Sequence, residues 1–223
     1  MSKEARISAV FLASLSLVSC TSQTPVQYAD IGSAHQWGPN TKDTSGRIPY
    51  SYKQTSSWGR YDTAIVEPIM LYTSADNQLG DLNIGEIMLL KKNMDSEFKK
   101  ALTHYYKVLD SPGGVPGAMR IRITLTGAER NTAFLTTFSR FDIGMGSYNL
   151  VQAARDKRGA FSGSVYYTVE VYDEASDRLL QSFVTQQYPK VYDISATRGA
   201  LSAAQAGIRR GAVALADELS QHR

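Results

Sequence analysis

The sequence predicts an α+β fold, an α/β sandwich in which a mostly antiparallel four-stranded sheet carries two helices on one face, in the order β-α-β-β-β-α. Three observations predict it. Met119, Ile121, Ile123 and Leu125 alternate with Arg120, Arg122, Thr124 and Thr126, the period of a half-buried strand. Val165, Tyr167, Val169 and Val171 alternate in the same way with Tyr166, Thr168, Glu170 and Tyr172. Two further stretches, near 87–105 and 201–219, repeat apolar residues at helical spacing.

Taken in order, the first strand is expected over Tyr61–Tyr72, rich in β-branched and aromatic residues, with Pro68 marking an edge or a bulge. After a turn at 73–80, Ile87, Leu90, Met94, Phe98, Leu102 and Tyr105 recur between lysines, which reads as an amphipathic helix. The run Ser111-Pro112-Gly113-Gly114-Val115-Pro116-Gly117 ends it. The two alternating strands follow, and Asp173-Glu174-Ala175-Ser176-Asp177 turns the second into a hairpin partner at about 178–187. The last helix carries Leu201, Ala204, Ile208, Ala212, Leu215 and Leu219. Gly207 and Gly211 on it cost about 1 kcal/mol each in helix propensity, so close packing on the sheet is expected there. The sheet face away from the helices is expected to show Arg120, Arg122, Tyr166, Glu170 and Tyr172.

The N-terminus reads differently. Lys3 and Arg6 precede an apolar run from Ile7 to Val18, the n-region and h-region of a signal peptide. The run is shorter than the roughly 20 residues of a membrane-spanning helix. It ends in Leu17-Val18-Ser19-Cys20, which resembles the lipobox of bacterial lipoproteins. That resemblance implies a thioether from the Cys20 sulfur to diacylglycerol, cleavage before Cys20 and acylation of the new amino terminus. Cys20 is the one cysteine in 223 residues, so no internal disulfide forms, and lipidation removes the liability of a free exported thiol. Several acyl chains, each contributing about 0.8 kcal/mol per buried CH₂, make such an anchor effectively permanent. Thr21, in place of the Asp associated with inner-membrane retention, points to the outer membrane, facing the periplasm.

The organisation that follows is a signal peptide at 1–19, a lipid-anchored flexible arm at 20–58 and a single α+β periplasmic domain at 59–223. The arm is rich in Ser, Thr, Gln, Gly, Asn and Pro. Its scattered Tyr28, Trp37, Tyr50, Tyr52 and Trp58 suggest that its later part is stapled to the domain. A long apolar insertion, 131–163, holds Phe134, Phe138 and Phe141; it is either packed locally or a contact surface for a partner, lipid or pore.

The globular region resembles an uncharacterised bacterial lipoprotein family, domain of unknown function 3313. The resemblance is carried by Tyr61-Asp62-Thr63-Ala64-Ile65-Val66-Glu67-Pro68, by the Pro112–Arg122 turn into a strand, and by Val169–Leu180. It covers about residues 60–220 and implies lipoprotein status and fold more than activity. One departure is Ala175-Ser176-Asp177, where family members often place Thr-Gly before the strand.

The residues show no catalytic constellation. Ser96-Glu97-Phe98-Lys99 and Ser147-Tyr148-Asn149 match two elements of penicillin-recognising enzymes, but a Lys-Thr-Gly strand is missing and Ser96 falls within a helix. His35, His104 and His222 have no metal-ligand spacing. Asp62 and Glu67, five residues apart on one strand, point to opposite faces and make a poor acid/base pair. A formal charge of +3, from 24 basic and 21 acidic residues, argues against nucleic acid as a partner. The expectation is a non-enzymatic accessory subunit of an envelope transport or assembly system, with no cofactor beyond the lipid on Cys20. Its partners are the membrane, through the lipid anchor, and another envelope protein, met through Arg120, Arg122, Tyr166, Tyr172, Phe134, Phe138 and Phe141. A small-ligand or lipid binder is the alternative; a hydrolase would need a nucleophile beside a base.

Overall fold

The computed structural model describes residues 24–54, 57–111, 113–131, 163–190 and 199–221. Its strands are β1 (Gly38–Pro39), β2 (Tyr50–Lys53), β3 (Thr63–Val66), β4 (Met70–Leu71), β5 (Lys107–Leu109), β6 (Ala118–Glu129), β7 (Ser164–Asp173) and β8 (Leu179–Gln187). Two long helices, α1 (Ile84–Leu102) and α2 (Ser202–Ser220), and two short 3-10 turns, Ala34–Gln36 and Trp58–Arg60, complete the described elements. The class is α+β, but the expected four-stranded sheet is wrong. The strands form one eight-stranded mixed sheet, in the order β1-β2-β8-β7-β6-β3-β5, with β4 also paired to β6.

Two physical causes enlarge the sheet. Pro68 has no N–H for a ladder, so the expected first strand divides around it. Its two pieces lie in succession along β6, both parallel to it: Ala64 beside Met119, and Met70 beside Thr124. The second cause lies in the segment expected as a flexible arm. Its described part is built into the sheet, with β2 antiparallel to β8, Tyr50 opposite Val184 and Lys53 opposite Gln181. β1 then pairs with β2. The apolar area of Tyr28, Ile31 and Trp37, all buried, offsets the entropy of ordering this polar stretch.

β6, β7 and β8 form the antiparallel meander that the alternation predicts, with Ile121 opposite Val171 and Val169 opposite Phe183. Their inward residues meet both helices in one core. Ile87, Leu90, Met94 and Phe98 of α1 pack there with Ala204, Ile208, Ala212 and Leu215 of α2. A reciprocal cap starts α1: Asn83 Oδ1 accepts from the Glu86 amide at 3.0 Å, and Glu86 Oε2 accepts from the Asn83 amide at 2.9 Å. α2 comes so close to β8 that a β-carbon on Gly207 would stand 2.7 Å from the Gln187 carbonyl oxygen. That contact is why a helix-weakening residue sits there.

The opposite face carries a smaller apolar layer of Tyr28, Ile31, Trp37, Tyr72 and Val184. Trp37 Nε1 donates to Ser182 Oγ at 2.8 Å, and the Tyr28 and Tyr72 rings lie 5.0 Å apart. The N-terminal segment therefore covers the middle of this face. Beside it, the face stays polar and partly open. Among the described residues no helix is long and apolar enough to cross a membrane.

Candidate functional site

The uncovered part of the sheet is a network of charges held by three strands and a turn. Alternation sends Arg120 and Arg122 of β6 to this face, and the register sets them opposite Tyr172 and Glu170 of β7. Glu67 follows β3, which runs parallel to β6, so its carboxylate reaches both arginines. Arg120 Nη1 donates to Glu67 Oε1 at 2.7 Å, and Arg122 Nε donates to Glu67 Oε2 at 2.8 Å. Arg120 also donates through Nε to Glu174 Oε2 at 3.0 Å and through Nη2 to the Asp177 carboxylate. Both guanidiniums lie over the Tyr172 ring, 5.0 and 5.5 Å from its centroid.

Burial differs across the network. The Arg120, Glu67 and Glu174 side chains are 14%, 16% and 8% exposed, whereas Arg122 is 34% and Asp177 78% exposed. The inner three are fixed and the outer two meet solvent. Burial pushes the Glu67 carboxyl up, but hydrogen bonds from Arg122 and Arg120 outweigh it and hold the group below its ordinary value. Burial, with Glu170 alongside, pushes the Tyr172 hydroxyl up to about 12. It is a neutral donor at physiological pH, and it donates to Glu170 Oε1 at 3.0 Å. Among the described residues Glu67, Glu174 and Asp177 pair with Arg120 and Arg122 while Glu170 accepts from Tyr172, so carboxylates outnumber guanidiniums and the network is not an anion trap. It presents a compensated, slightly acidic surface with two oriented guanidiniums and an aromatic ring.

The family model for protein of unknown function (DUF3313) matches residues 27–215. The chain belongs to that family. No curated protein matches it. Among solved structures, this DUF3313 chain is similar to the PelC dodecamer from Paraburkholderia phytofirmans, at 12% identity and a TM-score of 0.41, covering 78% of this chain and 96% of that one. It is also similar to a DUF330 protein from Xanthomonas campestris, at 11% identity and a TM-score of 0.35, covering 71% of this chain and 83% of that one. A hypothetical protein from Chlamydia trachomatis matches at 9% identity and a TM-score of 0.34, covering 70% and 97%. These likenesses are too distant to bring a function with them.

Of the residues that the DUF3313 sequence nominates, the fold brings Arg120, Arg122 and Tyr172 together. Tyr166 shares their face but is buried, its hydroxyl donating to Glu129 Oε1 at 2.5 Å and accepting from Gln186 Nε2 at 2.9 Å. It has no surface to offer a partner. Phe134, Phe138, Phe141 and Cys20 lie outside the described residues, as do His222 and the Ser147-Tyr148-Asn149 motif. Ser96 is exposed on α1, and His104 Nδ1 lies 3.0 Å from the Lys100 carbonyl at the end of that helix. Among the described residues no three His, Cys, Asp or Glu side chains gather to hold a metal ion. Sequence reasoning missed Glu67, Glu174 and Asp177 as partners of Arg120. Their link depends on β3 running beside β6 and on the shape of the β7–β8 turn, and neither leaves a periodic signal.

Proposed function

We propose that this protein is an outer-membrane lipoprotein, tethered through lipid on Cys20 and facing the periplasm, whose domain is a non-enzymatic binding subunit of an envelope transport or assembly system. The lipobox-like Leu17-Val18-Ser19-Cys20 supports the address. The observation that carries the binding role is the Glu67–Arg120–Arg122–Tyr172 network on the open sheet face. Arginine and tyrosine are the side chains that most often anchor interfaces. Here they are already held by ion pairs on rigid strands, so docking orders little that is free. The exposed Asp177 and the partly exposed Glu67, beside guanidiniums already paired with carboxylates, fit a partner surface that brings basic residues of its own.

The test is affinity isolation of the lipidated protein from detergent-solubilised envelope, beside an Arg122→Glu/Tyr172→Ala variant. A stoichiometric partner is expected with the native face. Loss of roughly 2 kcal/mol at such a contact lowers its affinity about thirtyfold, enough to remove it from the variant. Equal recovery with both proteins, or recovery with neither, contradicts the reading.

A further inference from the structure

We infer that the N-terminal end of α1 rests on the lipid bilayer, with Ile84, Met88 and Leu89 set into the boundary between headgroups and acyl chains. The inference builds on the Cys20 anchor. The Thr24 carbonyl accepts from Gln78 Nε2 at 3.1 Å, and the Tyr28 hydroxyl donates to Gln78 Oε1 at 2.5 Å. Gln78 is itself fastened to the far end of β6, donating to the Thr126 carbonyl at 2.8 Å and accepting from the Ala128 amide at 3.1 Å. Just past β6, Arg130 pairs with Asp81 at 2.6 Å and with Glu86 in the first turn of α1 at 2.7 Å. The exit of the N-terminal segment, the end of β6 and the start of α1 therefore lie at one end of the molecule.

Three residues lie between Cys20 and Thr24, and the four extended steps from one to the other reach about 14 Å. A lipid on Cys20 keeps this end within about 14 Å of the membrane. The same end exposes large apolar side chains: Ile84 is 71%, Met88 57% and Leu89 48% accessible. Met88 and Leu89 turn to the outer side of the first two turns of α1, and Ile84, its first residue, stands beside the core edge with most of its side chain exposed. Lys91 and Lys92 follow, with stems long enough to carry their ammonium groups to lipid phosphates. Apolar residues on the outer side of a helix, followed by lysines, make the pattern of an interfacial helix.

The test uses the lipidated full chain in vesicles of phosphatidylethanolamine and phosphatidylglycerol. With the Cys20 sulfur in a thioether, an introduced cysteine is the sole free thiol. An environment-sensitive fluorophore is placed in turn at Ile84→Cys, Met88→Cys and, as a control on the outer face of α2, Val213→Cys, a site 53% exposed. The first two are expected to shift to the blue on reconstitution and to lose most of their emission to spin-labelled lipid, while the third does neither. Protein that floats with the vesicles yet shows no quenching at either α1 site overturns the docking and leaves the anchor standing. Protein that carries no lipid and fails to float overturns both. Probes already shielded in the unlipidated Cys20→Ala chain in detergent-free buffer overturn the docking as well: a dimer mass then assigns the face to a second copy, and a monomer mass to the chain itself.

Discussion

Glu67 is the residue on which the polar face depends most, because one carboxylate satisfies two guanidiniums. Glu67→Gln removes the charge and is expected to cost about 1–3 kcal/mol in urea unfolding at neutral pH. Its folded pKa lies below its ordinary value, so its contribution is complete above the unfolded value of about 4.3 and fades as pH falls through the lower folded value. The stability gap between wild type and variant therefore narrows below about pH 4, and a gap independent of pH contradicts the pairing. Asp173, held low first by the Ser176 hydroxyl, adds the same pH trend to both proteins and cancels in the difference. Asp177 occupies the left-handed region at φ 52°, the backbone conformation that glycine adopts most readily. Asp177→Gly removes a backbone cost of about 1 kcal/mol and gives up only an exposed ion pair. Melting should show stability unchanged or raised by up to about 1 kcal/mol; a clear loss would mean that the Arg120 contact matters more than its exposure implies.

Among the elements, α2 and the N-terminal segment carry the sharpest expectations. Gly207→Ala gains about 1 kcal/mol of helix propensity in isolation. In this fold its β-carbon meets the backbone of Gln187 and Tyr188, which cannot swing aside. A net destabilisation of about 1–3 kcal/mol is expected by thermal or urea unfolding. Trp37→Ala opens the layer over the second face and frees Ser182; a loss of about 3–5 kcal/mol is expected, with faster amide exchange in β2. An unchanged stability would mean that the segment is a passive tether after all. These elements also show what is legible in a sequence. β6, β7 and α1 are long enough for their periods to be read directly, and Gly207 announced close packing. β1, β2, β4 and β5 have two to four residues each, too few for a period, and they exist because a distant strand offers an edge. Polar composition disguised β2 as tether, because its pairing lies with β8 at the other end of the chain.

For the whole molecule, the motifs at 61–68, 112–122 and 169–180 were enough to indicate the family, since they fall on the three strands that build the polar face. Part of the candidate site is legible in the same way: alternation places Arg120, Arg122, Glu170 and Tyr172 on one side. The arginines' carboxylate partners are not, because Glu67 joins through a parallel pairing and Glu174 and Asp177 through a turn. We propose that this face works from a lipid tether at Cys20. Incorporation of labelled palmitate, followed by membrane fractionation, tests it most directly. The wild type is expected to take up label and sediment with the outer membrane, and Cys20→Ala to lose both label and retention. Membrane association that persists in Cys20→Ala, or a wild type that takes up no label, contradicts it.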